Sequence, residues 1–404
     1  MNSYLARQPI LDAKLRVMGY ELLFRNGEHE DSFSCENADY ATVDTTIESF
    51  YTIGLDTITG KKPAYVNFTP SLLLAGVATL FPKELLIIEL SGKLEPNPRI
   101  VEACRELKNA GYTLALDDFN HRPENDPLAD ICKIIKIDFL ENPPDQIHEY
   151  VKRIKDNKKI KLAKKIESRE TFNDAVKMGF DLFQGYFFSK PVIVTGKRLM
   201  PHKLSYVNLL SEIRDSENIN FDKLANIIRH DIALCHKFLR IINSVYYGLL
   251  QKVTDIKLAL VMFGTNEIRK IIYFLSIMEL GTDKPDELMR LSVVRGFFLE
   301  SLSKLSTRSY SKDALFMLGI FSFIDVLLEQ PMKTALADLR LSPDIVEALT
   351  ENSGELYKFL QLIIDVENGD WDAADAAASY LGIDARQIPE QYLNAIKICN
   401  EILI

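Results

Sequence analysis

Between residues 64 and 188 this chain repeats one unit, a short run rich in Ile, Leu, Val and Phe followed by a stretch long enough for a helix. The runs are AYVNFTP (64–70), LLIIEL (85–90), TLALDDF (113–119), IIKIDFL (134–140), KIKLAKK (159–165) and LFQGYFF (182–188). RVMGYELLFR (16–25) supplies an earlier strand candidate. Helix-length stretches such as 96–112 and 168–180 lie between them, and both close near a glycine, as helix C-caps do. Strands that recur every 20–28 residues with helices between them predict a parallel sheet covered by helices. Seven or eight such strands close as a TIM-like (β/α)8 barrel rather than an open sheet.

Beyond Pro191 and Gly196 the period changes to apolar residues three and four apart, as in FDKLANIIRHDIALCHKFLRIINS and IRKIIYFLSIMEL. A 404-residue chain exceeds one typical core, so a barrel over residues 1–194 and an all-α domain over 195–404 are expected. The net charge of −9 disfavours a general nucleic-acid binder, and no direct DNA binding is expected. Cys35, Cys104, Cys132, Cys235 and Cys399 are scattered without a CxxC pair, which excludes a zinc or disulfide framework. The opening MNSYLARQPI lacks a signal-peptide pattern, and no run of about 18 apolar residues occurs. A cytoplasmic chain with no membrane association is the expectation.

Polar residues sit late in the predicted strands: Asn67, Glu89, Asp117 with Asp118, Lys136 with Asp138, and Gln184. Taken singly, each fits a helix cap or a turn. Taken together, a parallel barrel gathers them at its C-terminal mouth, where this architecture places its chemistry. Acidic groups beside an Asn suit a hard divalent cation such as Mg²⁺ or Mn²⁺, and two such ions can clamp a phosphodiester and activate water. The stretch KIKLAKKIES (159–168) alone reads as a solvated, lysine-rich strand edge. On the barrel it delivers Lys164 to the same mouth.

These motifs resemble the EAL domain, the barrel phosphodiesterase of the bacterial second messenger cyclic di-GMP. ARQPILDAKLRVMGYELLFR (6–25) is similar to the family's opening, with Glu21-Leu22-Leu23 in place of Glu-Ala-Leu. Tyr65–Pro70 resembles its VNLSP strand, Asp117–Asn120 its DDFG, Lys136-Ile137-Asp138 its KID, and Gln184–Pro191 its closing QGYLFSRP. The resemblance covers residues 4–193. It implies metal ligation by Glu21, Asn67, Glu89 and Asp117, a second ion at Asp118, an attacking water held by Lys136, and dinucleotide contacts from Gln8, Arg25 and Gln184. Residues 221–248 resemble the signature helix pair of the HDOD domain, a helical relative of HD phosphohydrolases. With LGIFSFIDVLL (318–328), the order matches the EAL–HDOD tandem arrangement.

Three positions depart from the EAL pattern. Where active members read approximately VAEGVE, this chain reads Leu162-Ala163-Lys164-Lys165-Ile166-Glu167, placing an ammonium where the family uses a carboxylate. At about 4 Å and an effective dielectric near 20, a unit charge pair is worth roughly 4 kcal/mol, and a divalent ion doubles the repulsion. The Gly/Thr/Ser-rich loop after DDFG, linked to metal binding and dimer coupling, is here Asn120–Asp126. Gly92 takes the place of the second glutamate of the ExTE segment. The expectation is a degenerate EAL domain that acts in signal transduction by cyclic di-GMP sensing, by protein–protein interaction through its EAL and HDOD modules, or by both. Mg²⁺ or Mn²⁺ at a vestigial site, or no metal, and a homodimer are compatible with it. The first alternative is a weakly active, metal-dependent cyclic di-GMP phosphodiesterase. The second is a phosphohydrolase working from His230-Asp231, weakened because the partner segment reads Ser322-Phe323 and because His202 and His236 fit helix surfaces.

Overall fold

Eight strands close into a barrel in chain order: β1 (Ser3–Asp12), β2 (Val17–Asn26), β3 (Ala64–Asn67), β4 (Leu86–Ser91), β5 (Thr113–Asp117), β6 (Ile134–Asp138), β7 (Ile160–Lys164) and β8 (Leu182–Gln184). The structure is a computed structural model describing residues 3–26, 55–119, 126–154, 158–189, 206, 209–210, 212–213, 219–280, 284–337, 339 and 341–403. Each strand from β2 to β8 runs parallel to its neighbour, as the repeated unit predicts. β1 corrects the all-parallel expectation, because it pairs antiparallel with both β2 and β8. The cause is the connection. Asp12 Oδ1 accepts the Lys14 and Arg16 N–H groups at 2.8 and 2.9 Å, turning the chain straight back into β2. A connection that short joins only antiparallel strands.

Helices α1 (Leu55–Thr59), α2 (Pro70–Leu74), α3 (Pro98–Asn109), α4 (Asp126–Ile131), α5 (Pro144–Arg153) and α6 (Arg169–Lys177) lie between the parallel strands. Their limits follow from local chemistry. Asn97 and Ser168 cap α3 and α6, each accepting an N–H of the first turn at 3.0 Å. Both helices end in a Schellman motif: Tyr112 N–H reaches Leu107 O and Phe180 N–H reaches Ala175 O. Gly111 and Gly179 take the left-handed residue this motif needs, at φ 96° and 82°. The outward faces of the central strands are also buried, through Val66, Ile88, Leu90, Leu114, Leu116, Ile135, Ile137 and Phe183. That explains why these strands read as nearly continuous apolar runs.

The chain divides into two compact units, Met1–Lys190 with Glu367–Gly369, and Pro191–Val366 with Asp370–Ile404. The second is helical, from Phe221–His230 and Ile232–Ile242 through Ile256–Leu280, Asp286–Leu302 and Lys312–Ile320 to Ile388–Leu403. Its core includes Leu224, Ile228, Phe238, Ile272, Phe298, Phe316 and Tyr392. Among the described residues no helix is long and apolar enough to cross a membrane. Among the described residues Cys104, Cys132, Cys235 and Cys399 form no disulfide.

Candidate functional site

The barrel interior is layered, and its layering builds the site. Ile10, Tyr65, Ala115, Ile134, Leu162 and Leu182 form one buried cluster, with Ile87 and Ile160 packed against it. Because side chains alternate across a strand, the residue two positions on points inward one layer higher. Those residues are Asn67, Glu89, Asp117, Lys136, Lys164 and Gln184. On β1 the step runs the other way, from Ile10 back to Gln8, because that strand is reversed. Glu21 joins them from β2, paired in register with Gln8.

Lys136, with no exposed surface, is the centre of this layer. Its Nζ donates to Glu21 Oε2 at 2.8 Å and to Glu89 Oε1 at 2.5 Å, and lies 3.7 Å from Asp117 Oδ1. Burial opposes the charge on Lys136, but Glu21, Glu89 and Asp117 outweigh it and hold the ammonium well above its ordinary range. Glu89 moves the other way. Full burial and the neighbouring Glu21 charge push its carboxyl up to about 8 despite Lys136. Its Oε2 has no hydrogen-bond partner among the described residues.

Lys164 also turns inward, its side chain 13% exposed. Its Nζ donates to Asp117 Oδ1 and Oδ2 at 2.9 and 3.0 Å and to Asp118 Oδ1 at 2.7 Å. Burial works against its charge, and Asp117 leads the groups that reverse this and raise its pKa. Burial alone would raise Asp117, but Lys136 and Lys164 hold it below the usual carboxylate range. The solvated-edge reading of KIKLAKKIES is therefore corrected for Lys164 and fits Lys165 better. Lys165 is half-exposed and pairs with Asp138 Oδ2 at 2.7 Å, from a left-handed φ of 57°. Sequence reasoning did not anticipate that pair. The available signal was the consecutive lysines Lys164 and Lys165 at and just past the end of β7, beside the Asp-bearing strand β6.

Gln184 Nε2 donates to Gln8 Oε1 at 2.6 Å and Glu21 Oε2 at 2.7 Å, bringing together two residues expected to contact a dinucleotide. Asn67 is exposed at the end of β3, level in register with Glu89. Arg25 lies on β2 opposite Tyr4, and its side chain is outside the described residues, as are Asn120–Asn125 and His202. Gly92 has a steric duty that sequence reasoning missed. A Cβ there would lie 2.4 Å from Asp118 O and 2.6 Å from Asp117 O, so the aspartates owe their place partly to its bare backbone.

A divalent ion needs carboxylate oxygens at about 2.0–2.6 Å. Each of the four carboxylates already faces an ammonium, and Lys164 covers three of the four Asp117 and Asp118 oxygens. The side chains as arranged do not fit Mg²⁺ or Mn²⁺ at the aspartates.

In the helical unit the His-Asp dipeptide does local work. His230 Nδ1 is 2.7 Å from Asn226 O, at the exposed end of its helix. Asp231 caps the next helix, accepting Leu234 N–H at 3.0 Å. Ser322 Oγ donates to Gly319 O at 2.7 Å and Phe323 lies under the Arg295 guanidinium, 4.1 Å from its carbon. His236 is exposed on its helix. His230, Asp231 and Ser322 thus each bond to backbone near a helix end.

A family model described as the HDOD domain matches residues 200–338. The chain is 35% identical to the uncharacterized protein YuxH of Bacillus subtilis (strain 168), covering 100% of this chain and 99% of that one. It is 30% identical to the cyclic di-GMP phosphodiesterase CdgJ of Vibrio cholerae, covering 99% of this chain and 93% of that one. Among solved structures, the c-di-GMP-bound form of a standalone versatile EAL protein from Vibrio cholerae O395 aligns at 24% identity and a TM-score of 0.36, covering 46% of this chain and 91% of that one. Full-length similarity of this extent, in a closed barrel followed by a helical unit, places the chain in the EAL–HDOD tandem signalling family.

Proposed function

We propose that this chain is a signal-transduction protein whose barrel no longer hydrolyses cyclic di-GMP, and that it acts by sensing that nucleotide or by protein–protein contacts of its two units. The observation that carries this reading is the Lys164 ammonium seated on Asp117 and Asp118. Phosphodiester hydrolysis needs a group to take a proton from water and a cation to meet the developing charge. Glu21 and Glu89 are engaged by Lys136, and Asp117 and Asp118 by Lys164, so each of the four carboxylates is already paired with an ammonium. Both ammonium groups are committed to those same carboxylates rather than aimed at an open position.

A weakly active, metal-dependent phosphodiesterase is the second reading. It is favoured by the relative named for that activity, and by Glu21, Glu89, Asp117 and Lys136 meeting at the same mouth. Incubating the full chain with cyclic di-GMP and Mg²⁺ or Mn²⁺ decides between them. No linear dinucleotide is expected, and turnover comparable to an active EAL enzyme sinks the first reading. Calorimetric titration with the nucleotide then separates a receptor, which gives saturable heat, from a protein-binding scaffold, which gives none.

A further inference from the structure

We infer that Lys164, by holding the Asp117 and Asp118 oxygens, excludes divalent cations from the barrel mouth. This rests on the reading of the mouth given under the proposed function, and concerns its binding chemistry rather than its turnover. Gln8 meets Gln184, Gln184 meets Glu21, Glu21 shares Lys136 with Glu89 and Asp117, and Asp117 shares Lys164 with Asp118. Seven strands, β1, β2 and β4 to β8, are thereby tied by one continuous polar belt.

A divalent ion entering at the aspartates has to displace Lys164, which holds both Asp117 oxygens and one of Asp118. Displacing Lys164 moves its ammonium toward solvent but keeps it on the same short strand, close enough to repel the incoming ion. A second stitch beside it reinforces the arrangement. Lys165 ties the end of β7 to Asp138 at the end of β6, and Asp138 Oδ1 accepts the Leu140 and Glu141 N–H groups at 2.8 and 3.0 Å. Lys164 at the end of β7 and Lys165 just past it thus fasten the ends of β5 and β6 to β7. Lys164 is the lysine whose removal frees the Asp117 and Asp118 oxygens for a solvent-borne cation.

The test uses the full chain with the metal alone as probe. Wild type is titrated with MnCl₂ by calorimetry, and its thermal midpoint is measured in EDTA and in about 1 mM Mn²⁺. The same is done for Lys164→Glu and Lys164→Met. Wild type is expected to give no saturable heat and a midpoint that moves by less than about 1 °C. Lys164→Glu is expected to melt lower in EDTA and to recover by several degrees in Mn²⁺, as ligand binding to the folded state at roughly 100 times Kd requires. Its Mn²⁺ affinity should exceed that of wild type by at least about tenfold, with Lys164→Met between the two. Should Lys164→Glu fail to fold, Lys164→Met carries the comparison alone. Saturable Mn²⁺ binding by wild type overturns the inference, and so does a folded variant with wild-type indifference to Mn²⁺. Failure here is distinguishable from failure of the proposed function. Mn²⁺ binding by wild type without turnover removes only this inference, whereas hydrolysis in EDTA removes only the proposed function.

Discussion

The barrel mouth and the His230-Asp231 junction both present ionisable residues that a motif reading marks as catalytic, and the structure treats them in opposite ways. At the mouth, residues more than a hundred positions apart in sequence, such as Glu21 and Lys136, meet within 2.8 Å. At the junction, two adjacent residues face different partners, one a carbonyl four residues back and the other the first turn of the next helix. The difference lies in topology. A closed barrel sends the ends of its strands to one rim, so a polar residue two positions beyond a core residue has few places to go. A helix junction imposes no such convergence, and its backbone has unsatisfied groups that Asp and His serve well. Contiguity in sequence is weaker evidence of a site than repeated position on strands.

The sharpest way to break this contrast is to remove the centre of the mouth. Lys136→Met leaves Glu21 and Glu89 buried without their cation, and losing one partner of a buried pair typically costs about 3–5 kcal/mol. The expected readout is a large fall in the denaturation midpoint, with hydrogen-exchange protection lost from β4 and β6 amides. A change below about 1 kcal/mol would mean that the mouth is as local as the junction. A second probe is pH. The folded state holds Glu89 at about 8 against an ordinary value of 4.5, so between these limits the folded chain binds a proton that the unfolded chain has released. This contribution is fully present below about pH 4.5 and is lost as pH rises through 8, with a slope of at most about 1.4 kcal/mol per unit. Asp117, held low, acts in the opposite sense, and its contribution is lost as the solution is acidified. Glu89→Gln cannot release the proton, so its stability curve should be flatter than that of wild type from pH 5 to 8. Parallel curves would show that Glu89 is ionised in the folded state.

Much of this was legible because barrel strands carry two messages in one register. Short apolar runs marked β3 to β8, and a polar residue late in each run marked the rim: Ile87 then Glu89, Ala115 then Asp117, Leu162 then Lys164. β1 was less legible as a strand, since Pro9 lies inside it and periodicity carries no strand direction. Its reversal is set by the turn at Asp12, and it explains why Gln8 precedes its core residue where the others follow theirs. Lys164 could be flagged as a substitution within a resemblance, but the sequence holds no distance that would seat it on Asp117. Gly92 was legible only as a missing carboxylate, because a requirement for empty space leaves no pattern of its own.

Gly92→Ala is therefore the next, smaller test of the mouth. The added Cβ would press on the Asp117 and Asp118 carbonyls, and overpacking of this kind costs about 1–3 kcal/mol. Because the aspartates would have to shift, the hydrogen bonds to Lys164 should weaken with the fold, and Mn²⁺ indifference should be relaxed. At the junction, Asp231→Ala removes one cap and should cost about 1 kcal/mol, read as a lower denaturation midpoint. His230→Ala, at an exposed helix end, should stay within about 0.5 kcal/mol. The double variant decides what kind of place the junction is. If each residue serves only its own helix, the two losses add to within about 0.5 kcal/mol, whereas residues that share a ligand or a network couple more strongly. Coupling above that level, or a change in metal or nucleotide binding on losing His230, would restore the helical unit as a rival site. Additive losses with unchanged binding leave the barrel mouth as the place where this chain's ionisable groups act together.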